Sequence, residues 1–390
     1  MVVSAATLGD MLSKGNVWYT RHYQTYFDQV YVVYVFGGPQ RRVTNARTEL
    51  VSLGKGTNVK LDLLLSPARL YEFAKKNRPA RCLTADIVFS WWVFLFCRAF
   101  MRTKPYLMPV CIPEQIYSST GKSLSGLPTW VERIFIRLSF AGACAILTAR
   151  SFGNFPAWLS SNPLSRKKLI IVDTVVDAIA SPGFFANLEK VARRKELARK
   201  RTGDFRLIYV GGLRREKNVD ALVEMMHEIA SAQSDRRISL DIIGDGPERQ
   251  RLVEMSKEFG VDNKIRFHGS LPNENLPRHL VTANAFVSPL TGTSLREAGL
   301  CGLPIVAYDR DWIHGMLKHE VTALLVRPGD ITGLAQSVIR LADDDNLCEK
   351  LSQNISNLAW QLWSPEAVRK SLRQAFNQPA RVNLSKESLN

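Results

Sequence analysis

The sequence predicts an α/β protein with two domains, each built on a parallel sheet that helices cover. Three observations support this fold class. The chain has 390 residues, which exceeds the roughly 100–200 residues that one hydrophobic core usually organises. From Arg206 onward, short apolar runs alternate with segments of helical periodicity, as in βαβ units. Several of these runs end in glycine-containing turns, which are typical of strands that lead into helices.

The second half of the chain is the more regular. Residues 206–210 form an apolar run that ends at Gly211-Gly212, and helical periodicity follows over residues 219–230. Residues 238–243 lead in the same way into a turn at residues 244–247. The remaining predicted strands are residues 264–267, 285–288, 305–308 and 323–326. Six short strands fit a doubly wound sheet, whose ligands bind at the carboxyl ends of the strands.

The first half repeats this pattern less clearly. Residues 29–36 and 60–65 are predicted strands, and an apolar stretch at 87–97 is interpreted as a buried strand-to-helix segment. Charged residues flank this stretch, and a membrane-spanning helix needs about 20 apolar residues. A second interpretation is docking at a membrane interface through the large apolar side chains. These side chains are Trp91, Trp92, Phe94 and Phe96.

Residues 181–204 are predicted to link the two domains. They contain a Pro-Gly break and a basic run, which are typical of a hinge, although a surface helix inside one domain would show the same run. The expected divisions are a first domain at 1–180, a second at 205–358, a C-terminal helix at 359–376 and a flexible tail at 377–390. The C-terminal helix is expected to pack back toward the first domain.

Positive charge is concentrated in the first half. Up to Arg201 the chain has 29 Lys and Arg against 12 Asp and Glu, a net charge of +17, and the remainder has 23 against 24, a net charge of −1. This asymmetry indicates an anionic partner or membrane surface, although solvated basic faces would give the same count. Nucleic-acid binding would rest on charge alone and is not expected.

The N-terminus shows no basic region followed by an apolar run, so neither a signal peptide nor an anchor is expected there. We therefore expect a cytoplasmic protein, with a peripheral position on the inner face of the membrane as the further option. The cysteines and histidines are scattered, and clustered ligands are what a structural metal site requires. No metal site is expected.

The first candidate anion site follows the predicted strand at 206–210. Gly211 and Gly212 would let the backbone approach a phosphate closely, and the side chains of Arg214, Arg215 and Lys217 would complete the site. A solvated basic turn is the alternative interpretation. The pattern predicts a site for a diphosphate only in combination with the other loops.

Two further turns are candidates for the same site. Gly244 begins the turn after the next strand, where a purely structural role is equally compatible. Gly292, Thr293 and Ser294 lie in a loop that leads into a predicted helix with Glu297. Such a loop suits a phosphate, and a carboxylate on the helix suits ribose hydroxyls. The alternative is a capping box, in which a Ser or Thr cap is followed by a glutamate.

In this order and spacing, residues 207–345 resemble the retaining glycosyltransferases of family four, the glycosyl transferases group 1. The resemblance covers the last half of the chain well and the first half loosely. It implies the GT-B fold, in which two Rossmann-like α/β domains face each other across a cleft. It also implies a hexosyltransferase (EC 2.4) that uses a nucleotide-sugar donor, retains anomeric configuration and needs neither a metal ion nor another cofactor.

The resemblance also implies roles for residues of the first turn. In the family an arginine and a lysine of this turn contact the donor diphosphate, and Lys217 matches the lysine. Gly212 stands at the arginine position, so Arg214 or Arg215 would have to replace that contact. The predicted donor-binding residues are Gly211, Gly212, Arg214, Arg215, Lys217, Gly244, His268, Gly292, Thr293, Ser294 and Glu297.

Further positions match or depart from the family pattern. His268 lies in a segment that resembles the contact with the nucleotide base. Glu297 matches the glutamate that binds the ribose, whereas Pro289 stands where the family has a second glutamate near the sugar. In the first half, Gly15 and Asn16 resemble a loop that lies against the donor phosphates and the acceptor.

The catalytic residues that we predict are Lys217, Glu297 and Glu114. Glu114 stands near the place of a histidine that the family has and this chain lacks; a solvated loop glutamate is the alternative. The resemblance predicts transfer of a sugar to a hydroxyl acceptor. With the basic first half, it favours a lipid-linked or glycan acceptor in cell-envelope or exopolysaccharide assembly, with peripheral contact to an anionic membrane. A protein that binds nucleotide sugar without turnover is the alternative, supported by Gly212, Pro289 and the missing histidine.

Overall fold

The structure is a computed structural model, and its chain divides into two compact units. The first unit comprises Met1–Val176 and Val368–Asn390, and the second comprises Asp177–Ala367. The described residues are 1–7, 27–36, 38–45, 47–55, 59–84, 90–100, 103–107, 128–149, 163–166, 168–172, 184–188, 204–232, 236–290, 292–310 and 313–377. Much of the predicted linker at 181–204 lies outside these ranges, and residues 184–188 within it are helical.

The first unit contains an eight-stranded sheet. Its strands are β1 (Val2–Thr7), β2 (Val30–Phe36), β3 (Gln40–Asn45), β4 (Thr48–Ser52), β5 (Arg81–Thr84), β6 (Lys104–Leu107), β7 (Ala145–Ala149) and β8 (Leu169–Val172). Their order across the sheet is β3-β4-β2-β1-β5-β6-β7-β8. All neighbours are parallel except β3 and β4. The polar sequence QRRVTN of β3 suits this position at the sheet edge.

Helices cover the sheet of the first unit. They are α1 (Val59–Asn77), α2 (Ser90–Phe100), α3 (Thr129–Gly142) and the single turn α4 (Pro163–Arg166). Buried side chains of α2 and α3, among them Phe94 and Phe140, join side chains of the strands, such as Val33 and Leu107, in one core. The unit therefore has the layered α/β architecture that buried parallel strands require.

The second unit contains a six-stranded sheet in which every neighbouring pair is parallel. Its strands are β9 (Asp204–Val210), β10 (Arg237–Ile243), β11 (Ile265–Gly269), β12 (Ala285–Ser288), β13 (Ile305–Tyr308) and β14 (Leu324–Val326). Their order is β11-β10-β9-β12-β13-β14. The second unit has the doubly wound sheet that the sequence predicts.

The helices of the second unit are α5 (Asp220–Ser231), α6 (Arg249–Glu258), α7 (Leu276–Leu280), α8 (Thr293–Leu300), α9 (Ile331–Asp343) and α10 (Asp345–Trp363). Asp330 and Asp344 cap α9 and α10, because their carboxylates accept hydrogen bonds from the amides of Gly333 (2.8 Å) and Leu347 (2.9 Å). The last helix, α11 (Pro365–Asn377), belongs to the first unit from Val368 onward. There, Phe376 packs edge-on against the rings of Phe27 and Tyr106.

Two expectations about secondary structure are wrong. Residues 60–65 lie within the 19-residue helix α1 and not in a strand; a short leucine-rich run fits either element, and the run of helical residues after it decides the outcome. Residues 359–376 do not form one helix, because α10 ends at Trp363 and α11 begins at Pro365. Proline lacks the amide that a continuous helix needs, and the hydroxyl of Ser364 accepts a hydrogen bond from the Ala367 amide instead (3.2 Å).

The apolar stretch at 87–97 is helical from Ser90, and three of its four large aromatic side chains lie in or against the core. Trp92 and Phe94 are buried, and the ring of Trp91 stacks on Phe135 of α3 at 5.3 Å. These three side chains are therefore not a docking face, which corrects the second interpretation of this stretch; the side chain of Phe96 lies outside the described set. Within the described ranges, no helix is both long enough and apolar enough to span a membrane.

Candidate functional site

The candidate site lies at the carboxyl edge of the second sheet, where the strand order reverses. The chain forms β9 first and adds β10 and β11 on one side, then crosses over to add β12, β13 and β14 on the other. Loops that leave neighbouring strands in opposite directions open a crevice at such a switch point, and ligands of doubly wound sheets bind there. The loops after β9 and β12 therefore flank the expected ligand position.

Backbone hydrogen bonds join the loops that follow β9, β10 and β11. The amide of Gly211 donates to the Ile243 carbonyl (2.9 Å), the amide of Leu213 to Asp245 (3.0 Å), and the amide of Gly244 to Gly269 (2.8 Å). A Cβ atom on Gly244 would overlap the carbonyl oxygen of Gly211, and Gly244 has a φ of +146°. Gly211 and Gly244 thus hold neighbouring loops together, which is the structural role that the sequence left open for Gly244.

The basic residues of the first loop indicate a binding site for an anion. Arg215–Lys217 form a short 3-10 turn whose N-cap residue is Arg214. Asn218 ends the turn in the left-handed region, with a φ of 50°. Arg214 lies 3.8 Å from the exposed carboxylate of Glu216, a contact that contributes little. Among the described residues, neither Arg215 nor Lys217 has an ion-pair partner. The loop therefore offers cations to a ligand.

The loop before α8 is tied to the end of β9. The hydroxyl of Ser294 donates to the Val210 carbonyl (2.6 Å), which connects the two loops that flank the switch point. Gly292 is the N-cap of α8 in an extended conformation (φ −151°), and no side chain caps this helix. The capping-box alternative is therefore wrong. Thr293 is exposed at the helix start, where free amides and the helix dipole favour an anion.

Glu297 is the buried carboxylate of the site. It lies one turn into α8, its side chain accepts a hydrogen bond of 2.5 Å from the Asn273 amide, and its exposed fraction is 4%. Burial raises the pKa of Glu297 to about 7, against the opposing effects of the Asn273 hydrogen bond and the Arg296 charge. Such a carboxylate changes its charge near neutral pH.

His268 bonds to a buried aspartate. Its Nε2 atom lies 2.8 Å from Oδ1 of Asp241, and its ring packs edge-on against that of His279 at 5.6 Å. Burial and the neighbouring His268 lower the pKa of His279. The imidazole of His268 is thus engaged within the fold, and a contact with a nucleotide base remains a prediction.

The structure joins three of the predicted residues and adds one. Hydrogen bonds tie the loops of Gly211, Gly244 and Ser294 together at the switch point, and the basic turn continues from the loop of Gly211. Gly15, Asn16 and Glu114 lie outside the described residues. Asn273 was missed; its position after Pro272 in the loop that leaves β11 is the only local signal that would have drawn attention to it. Among the described residues, no group of three or more His, Cys, Asp or Glu is placed to hold a metal ion.

Comparison with known proteins matches this region to one family. Residues 192–358 match the family "Glycosyl transferases group 1". Among curated proteins, the chain is 26% identical over 325 residues to 2-deoxystreptamine glucosyltransferase of Streptomyces kanamyceticus, which covers 80% of each chain. It is 29% identical over 179 residues to the lipopolysaccharide core biosynthesis glycosyltransferase LpsD of Rhizobium meliloti (strain 1021), covering 45% of this chain and 50% of that one.

The similarity to solved structures extends over both units. Anabaena Alr3699/HepE, solved in complex with UDP, aligns with a TM-score of 0.67 over 96% of this chain and 99% of its own, at 14% identity. The two-unit α/β architecture is the GT-B fold. Together with the match of residues 192–358 to the glycosyl transferases group 1 and the similarity to named glycosyltransferases, this identifies the chain as a glycosyltransferase.

Proposed function

We propose that this glycosyltransferase moves a hexosyl group from a nucleotide-sugar donor to a hydroxyl acceptor with retention of anomeric configuration. The observation that carries the proposal is the pair of cations, Arg215 and Lys217, on the loop at the switch point of the second sheet. The donor diphosphate would lie against these cations and the start of α8. The ribose would lie against Glu297, one turn farther along that helix.

The rate enhancement would come from electrostatic stabilisation. As the glycosidic bond breaks, negative charge builds on the leaving diphosphate, and preorganised donors near that charge lower the barrier. Lys217, a neighbouring arginine and the amides at the start of α8 supply such donors. We propose that these groups meet the charge without a metal ion, so chelation would leave the rate unchanged.

The relatives support a choice of first substrates to test. Because Anabaena Alr3699/HepE was solved with UDP, uridine diphosphate sugars are the first donors to try. LpsD is named for lipopolysaccharide core biosynthesis, and the first half of this chain carries the excess positive charge. Both facts favour a lipid-linked or glycan acceptor in cell-envelope assembly. Gly15 and Asn16 are its proposed contacts in the first unit, and Glu114 is proposed to contact the sugar.

Donor binding is tested with purified protein and a panel of nucleoside diphosphates and their sugars. A bound ligand raises Tm, and a concentration of 100 times Kd stabilises the fold by about 2.7 kcal/mol. We expect Lys217→Ala to weaken binding of the best ligand by about 10- to 100-fold, since a hydrogen bond to a charged group contributes roughly 1.5–3 kcal/mol. Lys257→Ala, an exposed lysine in the last turn of α6, is the control and should bind as wild type. Equal affinity of both variants would remove Lys217 from the diphosphate site.

Turnover separates this proposal from a protein that binds donors without reaction. The enzyme should release nucleoside diphosphate when the donor and a suitable acceptor are both present, and an acceptor-dependent glycoside should form with the anomeric configuration of the donor. Tight donor binding without release on any acceptor would favour the alternative. Named transferase activities among the relatives favour turnover.

A further inference from the structure

Helix α3 of the first unit exposes an apolar stripe. Trp130 is 67% exposed, Ile134 45% and Leu138 44%. Residues four apart lie on one side of a helix, so the three side chains form one continuous row. The opposite side of α3 already faces the core with Ile136 and Phe140. The helix is therefore apolar on two sides, whereas a helix that only covers a sheet needs one apolar side.

Two arginines accompany the stripe. Arg133 and Arg137 are exposed, and at 100° per residue they lie beside Trp130 and Ile134, within an arc of about 140° that contains the whole row. Neither arginine has an ion-pair partner among the described residues. Glu132, the acidic residue of α3, is completely buried. The exposed side of α3 thus combines apolar and cationic groups without a carboxylate.

The two helices that pack against α3 also expose apolar side chains, and Lys168 bonds to the end of α3. Helix α2 packs against α3 and exposes Leu95 (56%), while α4 packs against α3 and exposes Leu164 (40%). The ammonium group of Lys168 donates to the carbonyls of Phe140 (3.0 Å) and Ala141 (2.5 Å) at the end of α3. Each of these three packed helices therefore exposes apolar groups, and clustered apolar groups of this kind mark interaction sites.

We propose that the exposed side of α3 docks on a bilayer that contains anionic lipids. Tryptophan and arginine are the side chains that suit the boundary between headgroups and acyl chains, because each combines an apolar body with a polar tip. An amphipathic helix with such side chains lies in the plane of that boundary. The net charge of +17 up to Arg201 matches a negatively charged surface. The proposal does not depend on the donor site, since docking needs no substrate.

The test measures flotation of the full-length protein with vesicles of phosphatidylcholine, with or without phosphatidylglycerol. The wild type should float with the anionic vesicles, less so at high salt because exposed charges are screened. Arg133→Gln combined with Arg137→Gln should weaken vesicle affinity roughly 30-fold at low salt, since each arginine near an anionic surface contributes about one factor of five. The triple variant Trp130→Ser, Ile134→Ser, Leu138→Ser should lose flotation.

Matched variants of the second unit serve as controls. Val321→Ser changes another exposed apolar residue (44%), and Arg237→Gln with Arg249→Gln removes two exposed arginines. Both controls should float as wild type, and unchanged circular dichroism should show that every variant is folded. Brominated lipid should quench the tryptophan fluorescence of the wild type more strongly than that of Trp130→Phe.

Two results would overturn the proposal. They are a wild type that binds neither kind of vesicle and α3 variants that float as wild type. If such variants also lost self-association or binding of an acidic protein, the surface would be assigned to a second copy or to a protein partner. Donor binding measured on the same preparations would show whether the proposed donor site fails independently.

Discussion

The two units carry their candidate binding surfaces in different ways. In the second unit, backbone hydrogen bonds join the loops after β9, β10 and β11, and glycines permit their close approach. In the first unit, the surface on α3 consists of side chains that project from a regular helix into solvent. Substitutions at the close contacts between the joined loops should therefore change folding and binding together, whereas substitutions on the exposed side of α3 should change binding alone.

Gly244→Ala should give the largest combined effect on folding and donor binding, because the new Cβ would overlap the Gly211 carbonyl and the backbone has a φ of +146°. We expect a loss of on the order of 3 kcal/mol in the free energy of unfolding and weaker donor binding in the same variant. Thermal unfolding, with a Tm lower by roughly 6–12 °C, and calorimetric donor titration measure the two effects.

Gly260→Ala is the control for Gly244→Ala, since Gly260 also has a positive φ (+64°) but open space around its Cβ position. It should cost only about 1–2 kcal/mol and leave donor affinity intact. If Gly244→Ala were as stable as Gly260→Ala, with normal donor binding, the loops would not depend on their close contact.

The two tryptophans Trp92 and Trp130 test the contrast inside the first unit. Trp92 is buried on α2 and Trp130 is exposed on α3. Trp92→Ala should lower the free energy of unfolding by about 3–5 kcal/mol, as expected for a large core side chain, and Trp130→Ala by no more than about 0.5 kcal/mol. Urea unfolding followed by circular dichroism compares them. A similar loss for Trp130→Ala would mean that its side chain supports the fold, and the docking surface would need another explanation.

The same contrast shows what the sequence can and cannot predict. Strands β12 and β13 coincide with predicted residues 285–288 and 305–308, because a strand that is buried on both faces is a short apolar run between turn residues. Hydropathy also located α2 as an apolar stretch, but it reports how much apolar surface a segment has and not which side is covered. Burial of Trp92 and exposure of Trp130 depend on the packing of α2 against α3. The local pattern of apolar residues in the sequence carries no information about how two helices pack.

The candidate site also has features that the sequence predicts and features that only the fold reveals. The glycines and cations of the loop after β9 are visible in sequence because each is a local feature of one turn. The bonds from Ser294 to Val210 and from Asn273 to Glu297 join residues that are 84 and 24 positions apart. Sheet order brings them together, so only the fold reveals them.

The Asn273–Glu297 bond predicts a pH effect on donor binding. In the proposed site a ribose hydroxyl would donate to the charged form of Glu297, so donor affinity should increase by up to about 10-fold as the pH rises through about 7. Because the Asn273 hydrogen bond lowers the pKa of Glu297, Asn273→Ala should shift the midpoint of this increase to higher pH. The donor's own titration is common to both proteins, so their difference reports the carboxyl group.

Asn275→Ala is the matched control, because Asn275 lies in the same short turn and has no described bond to Glu297. Calorimetric titrations from pH 6 to 8 should give the wild-type midpoint for this variant. Coincident curves for Asn273→Ala and wild type would show that Asn273 does not set the charge of Glu297.

Gly212→Arg should give the smallest effect, and one in the opposite direction. Gly212 stands where the family has an arginine, and a Cβ added there would meet its nearest atoms, Nε of Arg214 and the Asp245 carbonyl, at ordinary distances of 3.9 and 4.0 Å. The joined loops therefore have room for a side chain at this position, although they have none at Gly244.

A guanidinium that reaches the donor diphosphate should add about 1 kcal/mol, or roughly fivefold in affinity, and the gain should decline with salt. Gly212→Ala supplies the side chain without the charge and should bind as wild type. If the arginine variant binds no better than the alanine variant, the diphosphate does not lie beside residue 212. Arg214 and Arg215 would then not replace a contact that the family makes from that position.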